Sequence, residues 1–178
     1  MRRYTRRDAL GACGIALLSS LAGCSALPTN SSNSENPTYE RLDVTAVYVA
    51  NGVELSMPAE IQTVNETQNA DLLVLPHDTN IDAKQASEWL LEDRVLALLG
   101  ESSEATWLSW ARSDAFRDAF ENEGYGDGEP DPSLVVGARI DQLITTYRYT
   151  WGDEPSDRDV LEALDESLVA IEKKTPTE

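Results

Sequence analysis

The single histidine of the chain, His77, stands in Pro76-His77-Asp78-Thr79, and two adjacent hydroxyls stand in Gly100-Glu101-Ser102-Ser103-Glu104. A serine hydroxyl bonded to an imidazole, itself held by a carboxylate such as Asp78, is the arrangement used in nucleophilic hydrolysis. The imidazole takes the proton as the oxygen attacks a carbonyl carbon. Both segments follow apolar runs, Asp71-Leu72-Leu73-Val74-Leu75-Pro76 and Arg94-Val95-Leu96-Ala97-Leu98-Leu99. If those runs are neighbouring strands, His77, Asp78, Ser102 and Ser103 share one rim, where open α/β sheets hold their ligands. Each piece also has a plainer use. Serine is what a helix start prefers, and an imidazole in a loop commonly bonds to backbone. The primary expectation is therefore a binding domain, with a serine hydrolase using Ser102 or Ser103 and His77 as the alternative.

Other chemistry is expected to be absent. Asp127, Glu129 and Asp131 alternate like calcium ligands, but the sixth position of that loop is Pro132 where the calcium loop needs glycine, and the twelfth is Ala138 where it needs glutamate. Trp107, Trp110, Tyr147, Tyr149 and Trp151 are spaced for core packing or for lining a groove. There is no glycine-rich phosphate loop and no basic patch, so neither a nucleotide cofactor nor nucleic acid is expected. Only two cysteines occur, Cys13 and Cys24. With one histidine besides, no metal site is expected.

Both cysteines lie in an amino-terminal segment with the order of an export signal: Arg2, Arg3, Arg6 and Arg7, an apolar run from Ala9, then Leu21-Ala22-Gly23-Cys24. The apolar stretch, Ala9 to Ala22, is shorter than the roughly 20 residues needed to span a bilayer. Thr5-Arg6-Arg7-Asp8-Ala9-Leu10 resembles the twin-arginine box of exported haloarchaeal proteins, whose route carries folded cargo. Leu21-Ala22-Gly23-Cys24 resembles a lipobox, which implies cleavage before Cys24 and lipid on its sulfur. One hydrocarbon chain holds only marginally, so two or more are expected there. Residues 1–23 are thus read as a signal peptide and 24–41, rich in Ser, Asn, Thr and Pro, as a tether. The expected partners are the twin-arginine machinery, the membrane through Cys24, and a small solute or envelope protein. The expected location is the outer face of the cell membrane.

The chain carries 32 Asp and Glu against 14 Lys and Arg. Removal of residues 1–23 takes four Arg and one Asp, leaving 31 acidic against 10 basic residues and a net charge of −21. Such a surface repels nucleic acid and anionic membranes, and it resembles the solvated acidic surfaces of proteins from extreme halophiles. Asn30-Ser31-Ser32 and Asn65-Glu66-Thr67 both fit the N-glycosylation acceptor pattern, which matters only outside the cell.

Residues 42–178 must then position whatever chemistry exists. Leu42–Ala50 is β-branched and apolar and reads as a strand, and residues 51–70, with Gly52 and Pro58, read as irregular structure or a short strand around Val53–Leu55. The run at 71–76 reads as a buried strand. Thr79-Asn80-Ile81-Asp82 supplies capping-box chemistry for a helix with Ala86, Trp89 and Leu90 inward. A second buried strand spans 94–99. Ser102 or Ser103 starts a helix to about Asn122, with Leu108, Ala111, Ala115, Phe116, Ala119 and Phe120 on its apolar face. Glu123–Pro132 breaks the chain. Leu134–Trp151 reads as one long or two short strands, although Ile140, Leu143, Ile144 and Tyr147 also fit a helix. Pro155-Ser156-Asp157 opens a last helix. Alternating strands and helices predict one α/β domain, a mostly parallel sheet with about three flanking helices.

The stretch Asp71 to Ser103 resembles class I glutamine-amidotransferase-like domains, in which strand, loop, helix and second strand lead to a nucleophile turn. That resemblance implies an α/β scaffold. It does not imply their activity, because the turn here is Gly100-Glu101-Ser102-Ser103-Glu104 and the folded body has no cysteine. Glu104 also stands where a G-x-S-x-G elbow requires glycine.

Overall fold

Two five-residue apolar runs form the centre of the sheet, and almost every side chain in them is buried. The computed structural model describes residues 37–120 and 131–175. Six strands run in chain order: β1 (Val47–Val49), β2 (Thr63–Val64), β3 (Leu72–Pro76), β4 (Val95–Leu99), β5 (Leu134–Ile140) and β6 (Leu143–Tyr149). They lie side by side as β2-β1-β3-β4-β5-β6. The pairs β1–β2, β1–β3 and β3–β4 are parallel, whereas β4–β5 and β5–β6 are antiparallel. Four helices complete the fold: α1 (Ala83–Leu91), α2 (Ser103–Ala111), α3 (Asp114–Ala119) and α4 (Asp157–Lys174). The chain is therefore an α/β domain built on a mixed, mostly parallel sheet, with four helices where about three were expected.

β3 and β4 show no alternation because both faces of the sheet are covered, the usual reason central parallel strands read as continuous hydrophobic runs. Leu72, Val74, Val95 and Ala97 face a cluster completed by Val160, Leu161, Leu164 and Leu168 of α4. Leu73, Leu75, Leu96 and Leu98 face the opposite cluster, with Trp89 and Leu90 of α1, Trp107 and Trp110 of α2, and Phe116 of α3. The chain moves one way along the sheet from β1 to β2 and the other way from β3 to β4. Two crossovers of the same hand that travel in opposite directions lie on opposite faces. Val53, Leu55, Met57 and Ile61 of the first crossover pack on the α4 face, and α1 packs on the other.

Several local expectations are corrected. Leu42–Ala50 is not one strand. Leu42–Val44 forms a 3-10 turn, and β1 occupies only three residues. The turn is held from outside, since one carboxylate, Asp165 of α4, accepts the backbone N–H groups of Glu40 (3.0 Å), Arg41 (2.8 Å) and Leu42 (2.8 Å). Tyr39 is buried beside it, so packed structure begins inside the stretch read as tether. Of the two readings of residues 51–70, Val53–Leu55 takes the irregular one, and the short strand in that region is β2. Asp82, not Thr79, caps α1, accepting the N–H of Gln85 at 2.8 Å.

The helix expected to reach Asn122 breaks at Ser113. Its hydroxyl donates to the Trp110 carbonyl (2.6 Å) and accepts from the N–H of Phe116 (3.2 Å), ending one helix and capping the next. Trp107 and Trp110, not Leu108, carry the buried face of α2. Trp107 reaches the sheet because residue 137 is glycine: a Cβ there would lie 2.7 Å from Cζ3 of the indole and closer still to Cη2. Residues 140–147, which also fitted a helix, belong to the β5–β6 hairpin, turned at Asp141 with φ +56°. Arg148 of β6 is tied to Glu104 of α2 by a half-buried ion pair of 2.9 Å. The last helix matches its signal, with Ser156 and Asp159 forming a reciprocal capping box. Among the described residues no helix is long and apolar enough to cross a membrane.

Candidate functional site

β1 is flanked by β2, the next strand in sequence, and by β3, the one after. The strand order therefore reverses between β1 and β3, and at such a point the connections leave in opposite directions and open a crevice at the carboxyl ends of the strands. A cleft of about 750 Å³ occupies this place. The turn after β1 contributes Gly52, Val53 and Glu54 to its wall, the end of β3 contributes Pro76, His77 and Asp78, and the end of β4 contributes Leu99, Gly100 and Glu101. Ser133, immediately before β5, closes one side. Trp151 to Pro155, with Asp157 and Val160 from the first turn of α4, closes the other.

Local geometry follows from the residues at the strand ends. Gly100 has φ +125°, a conformation open to glycine and strained for any other residue. Its N–H donates to the Ser133 carbonyl (2.8 Å), and its carbonyl accepts from the N–H of Ser103 (3.1 Å), so the chain turns from β4 into α2 while remaining joined to β5. The absent side chain leaves room for the His77 ring, which lies against the glycine. His77 is fixed by its backbone, the N–H donating to the Leu99 carbonyl (2.9 Å) and the carbonyl accepting from the Thr106 hydroxyl (2.5 Å). Trp151 stacks on Tyr149 with ring centroids 6.1 Å apart and planes 15° apart. The Tyr149 hydroxyl is 2.9 Å from that of Ser167 on α4. Burial pushes its pKa up, with the Ser167 hydrogen bond acting the other way. Trp151, which lines the cleft, is thus backed by a tyrosine anchored to α4.

The cleft is electrically one-sided. Glu54, Asp78, Glu101, Asp153, Glu154 and Asp157 all line it, and no lysine or arginine does so among the described residues. The start of α4 is no anion seat either, because the capping box already occupies it: the Ser156 hydroxyl accepts from the Asp159 N–H, and the Asp159 carboxylate from the Ser156 N–H. Hydrogen bonds from Ser156 hold the Asp159 carboxyl below its usual pKa. Among the described residues the carboxylates do not converge as a metal cage.

Of the four residues proposed for hydrolysis, the cleft gathers two. His77 and Asp78 line it, while Ser102 and Ser103 do not. Ser103 is fully buried, its hydroxyl donating to the Pro132 carbonyl at 2.7 Å. Ser102 is the exposed residue before α2, and its side chain makes no capping bond. Among the described residues no hydrogen bond joins His77 to either hydroxyl. The serine that lines the cleft with His77 is Ser133, which nothing in the sequence singled out. Glu54 and Gly152–Glu154 were equally silent, because they belong to irregular connections; the one signal there was Trp151, a large aromatic beside a turn. Asn65 is exposed in the bend after β2, while Arg6, Arg7, Cys24 and Asn30 lie outside the described residues.

Compared with family models, curated proteins and solved structures, the chain matches none.

Proposed function

We propose that the protein is a lipoprotein held on the outer face of the cell membrane through Cys24, and that its α/β domain binds a small neutral or cationic solute in the cleft between the ends of β1, β3 and β4. The cleft itself is the observation that carries this reading. Its volume falls within the roughly 300–1,000 Å³ typical of small-molecule sites, and its walls combine the Trp151 ring with polar groups able to orient a ligand. Six carboxylates work against anionic solutes by charge. A hydrolase using Ser103 finds no support, because reaching a substrate would require its hydroxyl to leave both the interior and the Pro132 carbonyl.

The export signal and lipobox supply the location, and the twin-arginine machinery the route. Replacing Cys24 with serine should release the protein to the medium or leave it unprocessed. Unchanged membrane retention with an amino terminus at residue 24 would refute the anchor. For the cleft, tryptophan fluorescence titrated with amino acids, sugars and quaternary ammonium compounds should change with one of these classes in the wild type and not in Trp151→Phe. An unresponsive spectrum throughout would count against binding beside Trp151.

A further inference from the structure

Asn65-Glu66-Thr67 has the composition of an N-glycosylation acceptor, and the fold places it where such an acceptor can be used. Asn65 lies exposed in the bend between β2 and the 3-10 turn Thr67–Asn69. Glu66 is extended, with φ −127° and ψ 131°, so Asn65 and Thr67 project to the same side of the chain. Among the described residues no hydrogen bond claims the Asn65 amide or the Thr67 hydroxyl. The bend is held instead by its neighbours, Gln68 and Asn69 donating to the Glu66 carboxylate at 3.0 and 3.2 Å and Arg94 donating to the Thr67 carbonyl at 2.8 Å. We infer that Asn65 carries an N-linked glycan.

This inference rests on the reading that the domain lies outside the cell. It adds a requirement of its own: a chain exported already folded must offer its acceptor in the folded state, and Asn65 does so without any rearrangement of β2. In the transfer, Asn65 Nδ2 attacks the anomeric carbon of a lipid-linked oligosaccharide. The nitrogen–carbon bond forms as the bond from that carbon to the lipid's phosphate oxygen breaks. The lipid phosphate departs with the electron pair, and the amide proton passes to a base of the transferase. The glycan would stand beside β2, an edge strand of the sheet, and a hydrated chain there blocks edge-to-edge pairing with another sheet.

The full chain, recovered from the cells that make it, is digested with trypsin and examined by mass spectrometry together with its amino terminus. Cleavage after Arg41 and Lys84 releases residues 42–84, in which Asn65 heads the only acceptor triplet. That peptide should carry a glycan mass that disappears in Asn65→Gln and in Thr67→Ala and persists in Thr67→Ser. An unmodified peptide from a chain processed at Cys24 overturns the glycan and leaves the anchor standing. An unmodified peptide from an unprocessed chain overturns both.

Discussion

The imidazole of His77 occupies the space that a side chain on Gly100 would fill: a Cβ there would lie 2.8 Å from Cγ of the ring and closer still to Nδ1. The ends of β3 and β4 are thereby interlocked at the floor of the cleft, one residue supplying a ring and the other a vacancy. Gly100→Ala therefore meets two penalties, a φ of +125° that alanine avoids and a ring that must move. The loss of stability should be about 1–3 kcal/mol, read from urea denaturation. His77→Ala alone should cost less and leave the turn intact. Equal losses in the two variants would mean that the interlock does not constrain the turn.

Gly137 and Trp107 form a second pair of this kind, on the face covered by α2. Gly137→Ala should destabilise by about 1–3 kcal/mol through overpacking and should weaken the near-ultraviolet circular dichroism of the buried tryptophans. An unchanged spectrum and midpoint would mean that the indole has another place to go.

Asp165 is expected to fasten the amino-terminal turn to α4. In Asp165→Ala three backbone N–H groups lose their acceptor, and the cost should be roughly 1–3 kcal/mol. Asp165→Asn keeps one acceptor oxygen and should lie between alanine and wild type. Hydrogen exchange at Glu40, Arg41 and Leu42 should rise in the same order. Exchange that stays at the wild-type rate in the alanine variant would show that the turn is held by Tyr39 and Leu42 alone.

Acid stability has an identifiable contributor in Asp159. Its folded pKa lies below the ordinary 3.8 because the Ser156 hydroxyl and N–H bond the charged carboxylate. The group therefore stabilises the fold fully above its unfolded pKa. That contribution disappears as pH falls through the lower folded value. Melting temperatures of wild type and Asp159→Asn should differ most near neutrality and converge at the acid end of a titration. A gap that widens in acid would reverse the assignment.

The parts legible in sequence were those where local pattern and tertiary burial agree. β3 and β4 announced themselves because both faces are covered, and α4 because Ser156, Asp159 and an apolar stripe all signal the same helix. The amino-terminal turn was not legible: Leu42–Val44 has strand-forming residues, but a carboxylate 123 residues away from Leu42 gathers the N–H groups of Glu40, Arg41 and Leu42 where the turn begins. The break at Ser113 was hidden in an otherwise continuous helical face. At the site, His77 and Asp78 were found because they follow a recognisable strand. The use of Ser103 was not legible, since a hydroxyl that ties α2 to the Pro132 carbonyl looks in sequence like one free to cap or react. Glu54, Ser133 and Asp153 could not be found, because only the reversal of strand order between β1 and β3 brings their connections together.

Binding of a solute in the cleft can be read from a thermal-shift screen of wild type against Gly152→Trp. A Cβ at Gly152 meets nothing within 4 Å, so a large side chain there should obstruct the cleft without disturbing the fold. A solute present at 100 times its dissociation constant stabilises by about 2.7 kcal/mol, a shift of several degrees for a domain of this size. One class of neutral or cationic solute should raise the wild-type melting temperature and leave the variant unmoved. No shift with any class, or an equal shift in both proteins, would contradict a binding site at this cleft.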